Sequence, residues 1–209
     1  MDGAYSLRFG VMRAASILSV FCCACFLAPA QQQPRPPQLN ESGQIVVAGQ
    51  PTPYLIRHLP VSSFPDLPAE VQVVLAQRGC LIPQTYEAHR PENVVHARLE
   101  RAGSFDWAVL CSVEGTVSLL VFFSSAPAQP IVLASAPETQ RLQAHGSGNV
   151  LGFNWGIDPA SPEQIHEAQN GLEHRPAWVD HDAVADSVVD HRTIYHFYVK
   201  NAWTLLEMP

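Results

Sequence analysis

Acidic residues and histidines cluster near the C-terminal end of the sequence. The cluster contains six residues of ligand type: Asp180, His181, Asp182, Asp186, Asp190 and His191. In a helix over 182–190, aspartates spaced four apart would share one face, and a neighbouring histidine would complete a ligand set for a divalent cation. In the simpler interpretation, Asp180 or Asp182 caps the helix and the other side chains are solvated. We treat the cluster as a candidate binding site and assign it no metal.

Three carboxylates earlier in the chain have the residue type that glycoside hydrolysis requires. Glu92, Glu100 and Asp106 lie within a short stretch of the chain. Retaining and inverting enzymes need two carboxyl groups roughly 5 to 9.5 Å apart, and the sequence does not supply that distance. Because most such side chains are simply exposed, we assign no catalytic residue here.

Other catalytic and cofactor motifs are weak or missing. His166 and His174, with Glu167 between them, do not have the four-residue spacing of the two-histidine zinc helix. There is no Gly-x-Ser-x-Gly elbow, and 146–148 (Gly-Ser-Gly) lies in an expected loop beside His145. No glycine-rich phosphate loop is present, so we predict no cofactor. The sequence favours a protein without enzymatic activity.

Aromatic residues are plentiful in the second half of the chain. The set is Trp107, Trp155, Trp178, Tyr195, Phe197, Tyr198 and Trp203. Exposed together, these rings would form a platform for a carbohydrate or a peptide. In a chain of this size we expect most of them in the core.

The first thirty residues have the pattern of an export signal. Arg8 and Arg13 give a positive start, 14–28 is an apolar run without a charge, and Ala28-Pro29-Ala30 is a small-residue cleavage site. The apolar run is shorter than the roughly 20 residues of a membrane-spanning helix. We therefore expect a cleaved signal peptide (1–30), a periplasmic or extracellular protein and no membrane span after cleavage. Translation from Met12 instead of Met1 would also give a normal signal.

Cleavage would leave two of the five cysteines. Cys22, Cys23 and Cys25 belong to the signal, and Cys80 and Cys111 remain. An even pair in an oxidising compartment predicts a disulfide, which would stabilise the fold by roughly 3 to 4 kcal/mol in the chain-entropy model. The alternative, a nucleophilic cysteine with a histidine base, has no recognisable local signature around either thiol.

The chain is acidic, and this limits its partners. It has 12 Lys and Arg against 19 Asp and Glu, a formal net charge of -7. We therefore expect no nucleic-acid partner, because such proteins present basic surfaces. Lys200 is the only lysine, so there is also no lysine-rich patch for anionic lipid.

The expected signal is followed by a linker and one domain. Residues 31–43 are rich in proline and glutamine and predict a flexible linker, and 44–209 is long enough for a single domain with one core. Within it we expect an α+β fold, a mostly antiparallel β-sheet packed by two or three helices.

Helix signals are found at three places. Asp66 is a suitable N-cap for a first helix that ends at Gly79. Ser161-Pro162-Glu163-Gln164 is a capping box that predicts a second helix. A third, short helix is expected over 182–189.

Strand signals are strongest in the middle of the chain. Alternation at 93–101, apolar runs at 106–113 and 116–123, and a further run at 131–134 predict a meander around 93–134 with a hairpin turn at Glu114-Gly115. Short strands are also expected at 44–48 and 150–155. The chain should close with a C-terminal hairpin, 193–199 and 203–206, turning at Lys200-Asn201.

Six motifs occur in a fixed order within residues 60–206. They are Leu67-Pro68, Gly79-Cys80-Leu81-Ile82-Pro83-Gln84, Asn93-Val94-Val95, Asp106-Trp107-Ala108-Val109-Leu110-Cys111, Leu120-Val121-Phe122 and Asp180-His181-Asp182, followed by a hairpin containing Trp203. In this order the motifs resemble a family of uncharacterised exported bacterial proteins. The resemblance implies export and carries no activity that could be transferred.

A fainter similarity concerns the turn at 101–106 and the strand after it. This segment is similar to one unit of integrin-type β-propeller repeats, in which an acidic turn binds calcium. Asp106 is the one acid of this turn, where the repeat has several, and no further copies follow. Calcium binding in the repeat requires several acids in this turn. The similarity therefore does not imply calcium binding by this chain.

Export, one disulfide and the lack of a complete catalytic motif favour one function. We expect a secreted or periplasmic non-enzymatic domain that binds a protein or cell-envelope component through its sheet and neighbouring loops. The alternatives are an envelope hydrolase that uses carboxylates or the cluster at 180–191, and a proteinaceous inhibitor of an envelope hydrolase.

Overall fold

The computed structural model describes residues 39–146, 149–170, 172–175 and 178–208. The expected signal peptide (1–30) and residues 31–38 of the expected linker lie outside the described residues. In the described ranges, no helix is long and apolar enough to cross a membrane.

Strands are the main secondary structure of the described residues. The strands are β1 (Asn40–Val47), β2 (Gln50–Pro60), β3 (Leu81–Gln84), β4 (Val94–Ala97), β5 (Asp106–Val113), β6 (Thr116–Phe122), β7 (Ile131–Pro137), β8 (Leu142–Ala144), β9 (Leu151–Phe153), β10 (Trp155–Ala160), β11 (Ala183–Val188), β12 (Arg192–Val199) and β13 (Ala202–Met208). The helices are α1 (Ala69–Gln77) and α2 (Pro162–Ala168), with short 3-10 helices at Val61–Ser63 and Glu138–Gln140. A mostly antiparallel β fold with few helices is thus confirmed.

The larger sheet has the order β7-β6-β5-β3-β2-β9-β8, with β1 paired to β2 and β4 paired to β5. Strands β4 to β7 pair antiparallel in sequence order, which confirms the meander predicted around 93–134. Glu114 and Gly115 both have positive φ, as a tight two-residue hairpin turn requires.

Strand β2 contains three prolines and was not predicted as a strand. Residues 50–57 of β2 pair with β1 and residues 57–60 pair with β3, whereas β9 pairs only with Tyr54 and Leu55. One side of β2 is therefore unpaired at Pro51 and Pro53, where a residue without an N–H is tolerated.

The smaller sheet has the order β10-β11-β12-β13, and all of its pairs are antiparallel. Strands β12 and β13 form the predicted C-terminal hairpin. The turn lies at Lys200 and Asn201, as predicted, and both residues have positive φ, as in a tight two-residue hairpin.

Three apolar clusters bind these elements into four layers. Residues of both sheets, including Leu110, Trp155 and Val184, form one cluster between the sheets. Helix α1 packs on the opposite face of the larger sheet through Leu75. Helix α2 packs on the opposite face of the smaller sheet through Ile165. The layer order is therefore α1, larger sheet, smaller sheet, α2.

The central strands are buried on both faces, as their continuous apolarity predicted. Ala108 and Leu110 of β5 face the smaller sheet, and Val109 and Cys111 face α1. This division follows from the alternation of side chains along a strand.

The third predicted helix is wrong, because residues 183–188 form strand β11. This strand pairs with β10 on one side and β12 on the other. The segment contains the β-branched residues Val184 and Val188, and pairing on both sides satisfies its backbone groups as fully as a helix would. The expected helical face of Asp182, Asp186 and Asp190 therefore does not form.

Two predicted boundaries also shift. Strand β1 begins at Asn40, so residues 40–43 of the expected linker belong to the sheet, where they pair with 54–57. Helix α1 has Pro68 at its N-cap, without a side-chain cap, rather than Asp66. The capping box at Ser161 and Gln164 is confirmed.

Cys80 and Cys111 lie at disulfide distance, with their Cα atoms 5.3 Å apart. Cys80 follows Gly79, which has φ 71 at the end of α1, and Cys111 lies on β5. The pair therefore joins the end of the helix to the centre of the larger sheet. It is compatible with an oxidising compartment.

Candidate functional site

The loop between β3 and β4 (residues 85–93, the β3–β4 loop) is closed at its base by side-chain hydrogen bonds. The Gln84 amide donates to the Glu92 carbonyl at 3.0 Å and accepts from the Glu92 N–H at 3.0 Å. The Glu92 carboxylate accepts from the backbone N–H of Thr85 at 3.1 Å and from its hydroxyl. The loop tip is therefore presented from a fixed base.

Asn93 connects this base to the smaller sheet. It has φ 69 and is 2% exposed. Its side-chain amide donates to the carbonyls of Pro83 at 2.7 Å and Trp155 at 3.2 Å, and its side-chain oxygen accepts from the Ile157 N–H at 3.0 Å. One asparagine thus fixes the position of the loop relative to both sheets.

A cleft with aromatic walls lies on one side of the β3–β4 loop. Its lining is Ser63, Phe64, Pro65, Asp66, Leu67, Pro91, Val94, His96 and Trp107, and its volume is about 470 Å³. We call it the aromatic cleft. The segment before α1, the loop, β4 and β5 each contribute to it, so its shape depends on the meander and the helix together. Its volume lies in the range of ordinary ligand pockets.

The rings of His96 and Trp107 form the floor of the aromatic cleft. The two residues are register partners on β4 and β5, so their side chains share one face of the sheet. The rings stack at 4.2 Å with an interplanar angle of 15°. Phe105, which is 57% exposed, extends the row at 5.0 Å from His96. The three rings form one aromatic row, and two of them, His96 and Trp107, line the cleft.

A second cleft also contains residues of the β3–β4 loop. Its lining is Leu55, Arg57, Gln84, Thr85, Tyr86, Ala88, His145, Val150 and Phe153, and its volume is about 340 Å³. We call it the basic cleft, because Arg57 and His145 are the residues of its lining that can carry positive charge. Tyr86 and His145 stack there at 4.5 Å with an interplanar angle of 8°.

The structure separates the acidic and histidine cluster predicted at 180–191. His181 is buried, and its two ring nitrogens contact the Asp180 carboxylate at 3.2 Å and the Tyr198 carbonyl at 2.8 Å. Asp182 accepts two hydrogen bonds from the Arg98 guanidinium and one from the Arg98 N–H. Burial alone would raise the pKa of Asp182, but the hydrogen bonds from Arg98 outweigh it and the pKa is lowered.

The remaining members of the cluster have other partners. Asp186 pairs with His196 at 3.1 Å, and both side chains are 5% exposed between the sheets. Asp190 is exposed with φ 61 and accepts from the Tyr86 hydroxyl at 3.4 Å. His191 is exposed on the turn before β12. Across the described ranges, no three histidine, cysteine or acidic residues are grouped in a metal-binding arrangement.

The three carboxylates considered for glycoside hydrolysis have structural contacts. Asp106 is fully buried and accepts from the backbone N–H groups of Leu99, Glu100 and Ser124 at 2.8 to 3.0 Å. It therefore closes the turn that precedes β5. Glu92 is bound to Thr85, and Glu100 contacts the Ser125 hydroxyl at 3.2 Å.

The aromatic set divides between core and surface. Trp155 and Phe197 are fully buried, and Tyr198 and Trp203 pack partly buried against the core, as expected for most of the set. Trp178 is 62% exposed, with its ring at 4.6 Å from His166. Trp107 lies in the aromatic cleft, and Tyr198 lines a smaller pocket of about 270 Å³ beside His181.

Several cleft residues were not found by sequence reasoning. Phe64, His96 and Phe105 lie in the aromatic cleft or beside it, and Arg57 and Tyr86 lie in the basic cleft. The alternation at 93–101 already placed His96 on the face opposite Val95, and this was the one available signal. The pairing of β2 with β3, which brings Arg57 beside the loop, has no local signature.

No family model, curated protein or solved structure matches this chain.

Proposed function

We propose that this chain is an exported, non-enzymatic binding domain and that the aromatic cleft is its ligand site. The observation that carries the proposal is the stacked pair His96 and Trp107 on the floor of a concave pocket of about 470 Å³. Pockets with mainly apolar and aromatic walls are the usual small-ligand and peptide sites of proteins. An exposed aromatic surface of this kind is otherwise unfavourable in water.

The ligand we propose is an extended, proline-containing segment of a protein partner. Flat aromatic rings and rigid walls such as Pro65 and Pro91 suit the ridges of a polyproline II helix, which loses little entropy on binding. Asp66 is the acidic residue of the lining, and the lining includes neither lysine nor arginine. Together with the net charge of -7, this disfavours an acidic ligand.

The contacts of the acidic residues support a non-enzymatic role. Asp106 and Asp186 are buried and hydrogen-bonded within the fold, and Asp182 is held by Arg98. General acid or base catalysis needs a titratable group within reach of a substrate. These three carboxylates are instead occupied in stabilising turns and strands.

The cysteine pair supports export. Cys80 and Cys111 lie at disulfide distance, which is compatible with a periplasmic or extracellular location. The signal-like residues 1–30 point to the same compartment.

Isothermal titration of the signal-free chain with an acetylated, amidated hexaproline peptide tests the proposal. We expect saturable binding that Trp107→Ala weakens by roughly 30-fold, since truncating a central interface tryptophan costs about 2 kcal/mol or more. His96→Ala should weaken the binding less. Because His96 is exposed, this variant keeps the core intact and can test the site even if the Trp107 variant does not fold.

Trp178→Ala is the matched control, because this tryptophan is exposed but lies outside the cleft lining. Its affinity should equal that of the unaltered chain. No measurable binding, or equal losses in the Trp107 and Trp178 variants, would refute the proposed site.

A further inference from the structure

We infer that the basic cleft is a second binding site, which takes a carboxylate that carries an apolar group. The cleft combines Arg57 and His145 with the apolar side chains of Leu55, Val150 and Phe153. The linings of the two clefts share no residue. The ligand inferred here is an anion, which the aromatic cleft disfavours, so the inference does not depend on the function proposed above.

Arg57 supplies the recognition of charge. One of its terminal nitrogens donates to the Ala88 carbonyl at 3.0 Å, which holds the guanidinium against the β3–β4 loop. A guanidinium has five N–H donors, and no other acceptor for them is found among the described residues, so they can serve a ligand. The lining of the cleft includes no acidic residue, in a chain whose net charge is -7. Arginine binds carboxylates with two parallel hydrogen bonds, which gives both affinity and orientation.

His145 is held as a second donor by its stack on Tyr86. Gly152 permits this stack, because a Cβ atom at residue 152 would lie 2.5 Å from the Tyr86 Cβ and 3.0 Å from the His145 ring. The Tyr86 hydroxyl is fixed by Asp190 at 3.4 Å and by Gln143 at 3.5 Å. Asp190 and Gln143 thus hold Tyr86, and the stack on Tyr86 positions the His145 imidazole at the cleft.

The Tyr86 hydroxyl stays a neutral donor in this arrangement. Partial burial, followed by the charges of Glu87 and Asp190, raises the pKa of the Tyr86 hydroxyl above its ordinary value. Tyr86 thus holds Asp190 by donating to it.

The apolar side chains and the volume limit the size of the ligand. Leu55 is 50% exposed and Val150 is 40% exposed, and both would be covered by an apolar group bound to the carboxylate. A volume of about 340 Å³ is near the lower end of ligand pockets, so one amino-acid residue or a short acyl chain would fill it. The two sources that share this chemistry are a peptide C-terminus and a short-chain acid.

Ligand-observed NMR titration of the signal-free chain tests the inference with N-acetyl-leucine, hexanoate and the neutral N-acetyl-leucinamide. The two acids should bind with dissociation constants on the order of 1 to 10 mM, as small ligands of this size do. The amide should bind at least about 10-fold more weakly, because charge-assisted hydrogen bonds are lost.

Arg57→Gln should remove at least about 90% of the affinity for both acids, and Arg57→Lys should retain part of it. Arg90→Gln is the matched control, since Arg90 is an exposed arginine of the neighbouring β3–β4 loop that does not line the cleft. Unfolding curves of each variant show that the fold is kept.

The relative affinities identify the source of the ligand. Tighter binding of N-acetyl-leucine assigns the site to a peptide C-terminus, and tighter binding of hexanoate assigns it to an acyl carboxylate. Either result supports a carboxylate site. Equal binding of acid and amide, or equal affinities of the Arg57→Gln and Arg90→Gln variants, overturns the inference.

Discussion

Asn93 shows how much of the site depends on one residue. Its backbone has φ 69, a conformation that costs most residues roughly 1 to 2 kcal/mol, and its side chain makes three buried hydrogen bonds to two sheets. Asparagine tolerates this conformation better than other residues with a side chain. Asparagine therefore suits position 93 for two reasons: it tolerates the positive φ, and its side-chain amide makes the three hydrogen bonds.

We predict that Asn93→Ala lowers the free energy of unfolding by about 3 to 5 kcal/mol, because it leaves the Ile157 N–H unsatisfied and adds backbone strain. Asn93→Gly should lose about 1 to 2 kcal/mol less, since glycine adopts a positive φ freely. Chemical denaturation of both variants measures the difference. Equal losses would show that backbone strain has no part, and losses below 1 kcal/mol would show that the amide contacts do not stabilise the fold.

Other single residues could not have been foreseen from sequence. His58 and Glu138 form a buried pair at 2.7 Å, with side chains 3% and 1% exposed, yet they are far apart in the chain. Burial by itself raises the pKa of Glu138, but the hydrogen bond with His58 and further contacts outweigh it and the pKa is lowered. The pair brings strand β2 together with the 3-10 helix at Glu138–Gln140, two elements that are not paired as strands, and a local residue pattern does not encode such a contact.

At the scale of elements, local signals predicted local structure. The capping box at 161–164, the Glu114-Gly115 turn and the Lys200-Asn201 turn are all confirmed, because each depends on a few adjacent residues. Strand β2 was missed, and strand β11 at 183–188 was predicted as a helix. Both are stabilised by pairing with strands that are not encoded in their own residues. The aromatic cleft belongs to the second kind, since four separate segments form it.

The contact between Arg98 and Asp182 joins the residue after β4 to the start of β11, and it makes stability depend on pH. The folded pKa of Asp182 lies below its ordinary value, so its contribution is present above the unfolded pKa and is lost as the pH falls through the folded pKa. The Arg98 side chain is 40% exposed, so solvent screening keeps the effect small.

We predict that Asp182→Asn lowers the free energy of unfolding by about 1 to 2 kcal/mol at pH 7, and that this difference shrinks toward zero as the pH falls from about 4 to about 2. Urea denaturation across this pH range measures it. Glu207→Gln is the control, because its pair with Arg192 is exposed and should contribute little at any pH. A difference that stays constant down to pH 2 would contradict the assignment.

At the scale of the whole molecule, the disulfide is expected to stabilise the fold. The bridge between Cys80 and Cys111 would close a loop with a sequence separation of 31. We predict that Cys80→Ser with Cys111→Ser lowers the free energy of unfolding by about 3 to 4 kcal/mol. Guanidinium denaturation of the unaltered chain and the double serine variant, each with and without reductant, measures this loss. Reductant should not affect the serine variant. Two free thiols in the unreduced, denatured chain would contradict the bridge.

The four-layer arrangement explains why the fold class was predictable and the site was not. Continuous apolarity in β5 and β6 indicated strands covered on both faces, and the sheets and α1 do cover them. The clefts are instead left where α1 and the β3–β4 loop do not cover the larger sheet. That boundary depends on how helix and loop pack, which is set by contacts distant in sequence.

The aromatic cleft is the ligand site that we propose, and the four tryptophans of the chain are natural reporters of binding there. The most direct measurement is a two-dimensional NMR titration of the four indole N–H signals with hexaproline, each assigned by a Trp→Phe variant. We predict that the Trp107 signal moves with saturation while those of Trp155, Trp178 and Trp203 stay in place. A saturating shift at Trp178 or Trp203 with Trp107 unmoved would contradict the claim.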